Sequence, residues 1–256
     1  LVRIGLQTPG VAFRGDTRVT RLEHDGTGWH LFDDANRAVA QADVVVLANA
    51  MGCRALLQDM PLPEELTTKL QALHAMYGTV TLGRSETHHA FPATPINGMG
   101  SFVPHVPSPA GAFWAAGATF ETDVAVLADH PAQHHANLQR LQSLLPDVAK
   151  ALASQFQNAE VSAWSAARCV TNDRLPWVGP VELPQQPGLW VCAGMGSRGL
   201  SFSALCADFL AARLGGEPLP LEASLLRSLD INRPLSRKGQ SQAATPFVAS
   251  HRSGGD

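Results

Sequence analysis

Two arginines and one glycine-rich turn carry most of the chemistry open to this chain. The arginines lie in Ala166-Ala167-Arg168-Cys169-Val170-Thr171-Asn172-Asp173-Arg174-Leu175-Pro176-Trp177-Val178-Gly179-Pro180. In an apolar cleft a guanidinium holds a carboxylate by two parallel hydrogen bonds. Arg168 stands inside an apolar strand pattern, where a cation needs a partner, and it reads as an anion-binding residue. Arg174 is open to two readings, a second anion contact or a surface ion pair with Asp173. The turn is Gly194-Met195-Gly196-Ser197-Arg198-Gly199-Leu200, preceded by the apolar run Leu189–Ala193 and followed by helical spacing from Ser201 to Leu214. Strand, glycine turn and helix together aim backbone N–H groups and a positive helix end at a bound group.

The glycines match G-x-G-x-x-G, which normally opens a dinucleotide-binding βαβ unit. That unit needs a second strand with an acidic residue about 20 residues on. Here Gly215-Gly216-Glu217-Pro218-Leu219-Pro220, a short helical pattern and a polar tail follow instead. The turn therefore reads as the last βα turn of a cofactor domain, with no further parallel strand expected after Leu214.

Other chemistries find less support. His130 and His134 are four apart, as two metal ligands on a helix would be, but no acidic residue completes H-E-x-x-H and no third ligand is indicated. His88-His89 and His134-His135 lie in polar surroundings and read as exposed, so no metal is expected. No serine sits in a G-x-S-x-G elbow. Hydrophobic residues make up 45% of the 256 and charged residues 16%, which fits a globular enzyme and excludes a disordered chain. A net charge of −3 argues against a self-contained nucleic-acid surface. No apolar run reaches the roughly 20 residues of a membrane span. Cys53, Cys169, Cys192 and Cys206 form no C-x-x-C pair and fit a reduced, cytoplasmic setting.

The elements that must position these groups are legible in outline. Val11–Arg14, Arg18–Leu22 and Trp29–Phe32 read as meander strands, with turns at Asp25–Gly28 and Asp33–Asn36. Ala42–Ala50 is a continuous valine-rich run, expected as one strand covered on both faces in a parallel sheet. Beyond Cys53 the texture changes. Pro61-Leu62-Pro63 is a connection, Ala75–Gly83 and Gly111–Phe120 read as longer strands, and Gly98–Pro104 as a hairpin between them. Asp129 caps a helix with Pro131 at its first position, running to about Leu145. A second helix follows Pro146-Asp147, and a strand returns over Glu160–Cys169. The expected fold is mixed α/β: part of a cofactor domain at 1–57, an inserted antiparallel-sheet substrate domain at 58–164, the rest of the cofactor domain at 165–235, and a disordered tail at 236–256. The first residues, Leu1-Val2-Arg3-Ile4-Gly5, read as starting inside a domain.

Taken in order, "VVVLANA", "RCVTNDRLPWVGPV" and "GMGSRGLSFSALCADFLAARLGGEPLPLE" resemble the D-amino-acid-oxidase-like flavoprotein superfamily, from about Val11 to Arg237. "NGMGSFVPHV" and "FWAAGATFE" resemble its substrate domain, and "ASLLRSLDINR" its closing helix. The resemblance is strongest to oxidase domains of bifunctional enzymes that modify the tRNA wobble uridine. It implies an incomplete Rossmann-like FAD-binding domain, FAD as cofactor, and tRNA as substrate, with a methyltransferase domain elsewhere in the full-length protein. The implied reaction oxidises the carboxymethylaminomethyl arm of the (2-thio)uridine to the aminomethyl form and yields glyoxylate. By the same resemblance, Val19 meets the adenine, and Ala48 and Asn49 lie near the ribose and pyrophosphate. Gly194, Met195, Gly196, Ser197, Arg198, Gly199 and Leu200 face the flavin ring, and Arg168 grips the substrate carboxylate. Ser197 stands where some relatives place a second arginine, with Arg198 one residue along. The superfamily's opening βαβ has no counterpart in this chain, so weak FAD binding and an exposed edge at Val44-Val45-Val46 are expected of it alone. Two other readings are a small-molecule oxidase of glycine, sarcosine or a D-amino acid, and a non-catalytic fragment.

Overall fold

The computed structural model describes residues 2–85, 90–122 and 124–234, without the side chains of Val2 and Arg3. The expectations for His88-His89 and for the 236–256 tail fall outside these residues. In chain order come α1 (Val2–Leu6), β1 (Val19–His24), β2 (Trp29–Asp33), β3 (Ala38–Ala42), β4 (Val45–Leu47), α2 (Gly52–Leu57) and α3 (Glu64–Gln71). Then follow β5 (His74–Arg84), β6 (Ile96–Asn97), β7 (Ser101–Val106), β8 (Phe113–Gly117), α4 (His130–Leu144), α5 (Pro146–Gln157) and β9 (Ser162–Val170). The last are β10 (Trp177–Pro180), β11 (Leu189–Ala193), α6 (Gly199–Gly215) and α7 (Ala223–Arg227). The chain divides into two compact units, residues 2–73 with 171–234 and residues 74–170.

The discontinuous unit holds two sheets of three strands. In the antiparallel meander β1-β2-β3, Asp25 Oδ1 accepts from the amides of Thr27 and Gly28, and Asp33 Oδ1 from those of Ala35 and Arg37. These side chains replace ladder bonds that the tight turns cannot make. Val11–Arg14 is not a strand: Val11 and Phe13 are exposed, and no strand pairs with the segment among the described residues. The single strand expected over Ala42–Ala50 is also corrected. Ala42 closes β3 in the meander, Asp43 and Val44 are exposed where the chain changes sheets, and only Val45–Leu47 joins the second sheet.

That second sheet has the order β10-β11-β4, with β11 antiparallel to β10 and parallel to β4. Val45 and Leu47 are buried, while Val46 packs on the cluster of Val178, Cys192, Cys206, Phe209, Leu226 and Leu229. Both faces of β4 are thus covered, over three residues. α6 starts two residues before the expected Ser201 and ends at Gly216, whose φ of 68° stops the helix in the left-handed region. After α6 no strand follows among the described residues. The chain returns through α7 to a single parallel bridge at Asp230, where Ile231 N donates to Val178 O and Val178 N to Leu229 O.

The continuous unit is a five-stranded antiparallel sheet, β6-β7-β8-β5-β9. The expected hairpin forms between β6 and β7, closed by Gly98 N donating to Gly100 O. β8 is shorter than the expected 111–120, because Gly111, at φ 105°, turns the chain before it and the ladder to β5 ends at Gly117. Asp129 caps α4 through Ala132 N at 3.0 Å, and Pro131 is the second helical residue rather than the first. One sheet face is covered by α4 and α5, burying Phe102, Trp114, Ala116, Leu141, Val148, Ala149 and Leu152. Polar groups tie the same face down. Thr81 Oγ1 bonds His134 Nδ1 at 2.8 Å, and Asn137 Nδ2 donates to Thr79 O and Thr81 Oγ1. His134 is therefore not the exposed histidine expected. Burial, with His130 nearby, holds its pKa below the ordinary value.

Candidate functional site

In the discontinuous unit the parallel pair β4 and β11 sets the geometry. Val191 of β11 lies opposite Leu47 of β4, so the turns leaving the two strands emerge at the same carboxyl edge. Ligands of open α/β sheets bind outside such edges. The turn after β11 begins with Gly194 at φ 77°, where a Cβ would come within 2.8 Å of Thr171 Cγ2. Only glycine fits this backbone and this contact. A short 3₁₀ turn, Gly196–Arg198, leads into α6, whose start no side chain caps among the described residues. Ser197 and Arg198 are exposed, and Leu200 is 96% exposed. A 17-residue helix whose start no side chain caps directs the positive end of its dipole into this turn.

The turn after β4 carries Ala48, Asn49 and Ala50, all exposed, and leads into α2. Asn49 Oδ1 accepts from Cys53 Sγ at 3.0 Å, and Gly52 leaves room for the Asn49 amide, 2.5 Å from where a Cβ would be. α2 packs on β1, the strand that starts at Val19. The cofactor-site residues expected from the sequence thus come from two neighbouring βα turns and the strand behind one of them.

Arg198 and Arg174 are brought together, though not as a paired anion clamp. Arg198 Nη2 donates to the Arg174 carbonyl at 2.7 Å, and its guanidinium lies 4.7 Å from the Phe202 ring. Arg174 is exposed at φ 60°. Its expected partner Asp173 binds Arg233 instead, Oδ1 to Nη2 and Oδ2 to Nε, each at 2.9 Å. Arg233 also donates to the carbonyls of Pro176 and Leu175, closing the 171–176 turn against the segment after α7. Sequence reading missed this clamp because the partners are 60 residues apart.

Burial alone would raise the Asp173 pKa, but the hydrogen bonds from Arg233, Leu175 N and Thr171 hold it below the ordinary value. A depressed carboxylate contributes stability above its unfolded pKa and loses it as pH falls through the folded one. Asp173→Asn is expected to cost about 2–3 kcal/mol at pH 7, the scale of charged hydrogen bonds. In urea titrations the gap between wild type and variant should close towards pH 3. A gap that is constant with pH would assign the loss to packing.

In the continuous unit, Arg168 lies on β9, opposite Met76 of β5. Thr79 and Ser165 bond each other on the helix-covered side, so Arg168, Ala166 and Trp164 point to the other face, with Met76, Gly78 and Val80 across from them. Arg168 Nη1 is buried with no hydrogen-bond partner among the described residues. Its guanidinium is 5.1 Å from the Phe120 ring, and a Cβ on Gly78 would meet Nη1 at 2.5 Å. Burial pushes the guanidinium pKa down, which an anion brought to Nη1 would reverse.

The four cysteines are all buried. The hydrogen bond that Cys206 donates to Cys192, with burial, pushes the Cys206 thiol up, so this pair is core rather than nucleophile. Among the described residues no three His, Cys, Asp or Glu side chains are grouped to hold a metal ion. No helix among them is long and apolar enough to cross a membrane.

Adjacent βα turns at the carboxyl edge of a parallel pair, in a unit interrupted in sequence by a separate antiparallel sheet, make this a mixed α/β fold of two units, one of them discontinuous. The chain belongs to the FAD dependent oxidoreductase (DAO) family, which matches residues 2–213. It is 42% identical over 243 residues to the tRNA 5-methylaminomethyl-2-thiouridine biosynthesis bifunctional protein MnmC of Albidiferax ferrireducens, covering 91% of this chain and 40% of that protein. With the protein of the same name from Polaromonas naphthalenivorans the identity is 42% over 236 residues, covering 91% and 36%. The chain thus spans well under half the length of these curated relatives. The fold is shared with glycine oxidase from Geobacillus kaustophilus, with a TM-score of 0.61 at 21% identity over 89% of this chain and 55% of that one. Iminodiacetate oxidase from Chelativorans sp. BNC1 gives 0.59 at 16% identity, over 86% and 54%. FAD is the cofactor of the family. The glycine cradle at Gly194 and the uncapped end of α6 suit a group that carries partial negative charge.

Proposed function

We propose that this chain is the oxidase part of a cytoplasmic tRNA-modifying enzyme that converts the carboxymethylaminomethyl arm of the wobble (2-thio)uridine to the aminomethyl arm. The observation that carries this reading is the 42% identity, over 91% of the chain, to proteins named for that biosynthesis. The discontinuous unit takes the cofactor role and the continuous unit the substrate role. A methyltransferase domain in the same polypeptide belongs to the reading, because the relatives are named bifunctional.

In this reading the Gly194–Leu200 turn and the α6 amino end hold the flavin ring, with Ala48, Asn49 and Val19 towards the nucleotide half. FAD, when bound, supplies the hydride acceptor. Arg168 takes the carboxylate of the arm and so fixes the CH₂ between carboxylate and nitrogen. That carbon loses the hydride, the nitrogen lone pair closes an imine, and water splits it into aminomethyluridine and glyoxylate. Holding the arm by its charged end converts an encounter of two molecules into an oriented one. Arg174 and Arg198 shape the turn beside the flavin loop and are secondary candidates for the anion.

Nucleoside analysis of tRNA incubated with the FAD-loaded enzyme tests the proposal. The carboxymethylaminomethyl nucleoside should fall as the aminomethyl form and glyoxylate rise in equal amounts. Turnover of free glycine or sarcosine with the tRNA nucleosides unaltered would assign the site to a small-molecule oxidase. A flavin-free chain that changes neither would show a non-catalytic one.

A further inference from the structure

The face of the continuous unit that carries Arg168 holds a second feature that binding of a carboxylate does not use. Trp164 projects from the same face of β9 as Arg168, and it is 59% exposed. Phe120, whose ring lies against the Arg168 guanidinium, is 55% exposed. A large aromatic left this open on a sheet face is a ready partner for another flat ring. The spacing is specific. The guanidinium reaches back over Gly78, and Gly78 is registered with Ala166, whereas Trp164 is registered with Val80. One register pair on the same face separates the cation from the indole, a step of about 7 Å at the rise of a strand. The Thr119 carbonyl oxygen lies over Gly78, 2.3 Å from where a Cβ would be, and Ala166 puts only a methyl group between the cation and the indole along β9.

We propose that Trp164 is the platform on which the pyrimidine ring of the substrate stacks while Arg168 holds the anionic end of its arm. The inference rests on the tRNA-arm reading above and adds the residue that distinguishes a base-linked arm from a free amino acid. A four-bond arm from carboxylate carbon to ring carbon is of the length needed to run along β9 past Ala166, from Arg168 to Trp164. On β9 itself only the methyl group of Ala166 stands in that course. The Phe120 ring, 5.1 Å from the guanidinium, gives it a cation–π contact.

The test compares Trp164→Ala and Trp164→Phe in the FAD-loaded enzyme acting on tRNA that carries the arm. Trp164→Ala should raise KM roughly 5- to 100-fold, the range for losing one base–aromatic stack, and leave kcat within about twofold. Trp164→Phe should recover most of the KM, since a smaller ring still stacks. Both variants should keep the wild-type flavin absorbance and Tm. An unchanged KM in Trp164→Ala would overturn the proposal while leaving the tRNA reading intact. So would equal losses in both variants with a lowered Tm, which would make Trp164 a packing residue. A wild-type enzyme that leaves the tRNA arm untouched would remove the tRNA reading and the platform with it.

Discussion

Arg168→Ala is expected to lower kcat/KM for the carboxylate-bearing arm by about 2–4 kcal/mol, roughly 30- to 1000-fold. The reason is that Arg168 Nη1 is buried and has no hydrogen-bond partner among the described residues, so a substrate carboxylate would satisfy a group the fold leaves open. Arg168→Lys should recover only part of the loss, because an ammonium cannot reproduce the two parallel bonds of the fork. The stability of the variant makes the argument sharper. Removing a desolvated cation that has no countercharge among the described residues relieves a cost of folding, so Arg168→Ala should melt at the wild-type temperature or slightly above it. Steady-state kinetics and a thermal melt on the same preparation check both halves. Full turnover in the alanine variant would place the anion elsewhere, and a large fall in Tm would make Arg168 a structural residue.

Gly188→Ala should be the most damaging single methyl group in the discontinuous unit. Gly188 has φ 90°, and a Cβ there would lie 2.1 Å from the Asp43 carbonyl oxygen. Its own carbonyl accepts from Val45 N at 2.8 Å, the bond that starts the pairing of β4 with β11. The neighbouring Pro187 carbonyl takes the indole N–H of Trp29, which is fully buried. The added carbon must therefore push the β3–β4 crossover away from the start of β11, and the backbone strain adds to the clash. A loss of about 4 kcal/mol is expected. Gly216→Ala is the control, since φ there is 68° but nothing lies within 4 Å of the added carbon. It should cost about 1 kcal/mol. Urea midpoints at constant m would read the difference, and equal midpoints for the two variants would show that the crossover yields easily.

What could be read from the residues was local or periodic. The Gly194 turn, the Asp129 cap and the Asp25 and Asp33 turns announce themselves through residues that satisfy backbone groups a few positions away. Ala42–Ala50 misled because an unbroken apolar run has no period, so nothing in it marks where one sheet ends and another begins. Asp173 misled for a different reason. The adjacent Arg174 was the obvious partner, but a backbone at φ 60° carries it away, and Arg233 arrives from after α7. The bond between His134 and Thr81 is likewise a product of packing and has no signature in either segment. The Trp164–Arg168 relation was within reach. Positions 164, 166 and 168 alternate on a strand, and the period of two alone puts the indole and the guanidinium on one face.

The parallel pairing of β4 with β11 also sets a timetable. Val45 and its partner Leu189 are separated in sequence by the whole of the continuous unit, whose strands, among the described residues, pair with one another. As the chain leaves the ribosome, residues 74–170 can close their sheet at once, whereas β4 must wait for a strand not yet made. Completing the inner sheet first shortens the loop that the late pairing has to close, which reduces its entropy cost. Until Leu189–Ala193 arrives, Val45 and Leu47 lack the strand they pair with among the described residues, and that interval is when a chaperone or a neighbouring nascent chain would find this edge.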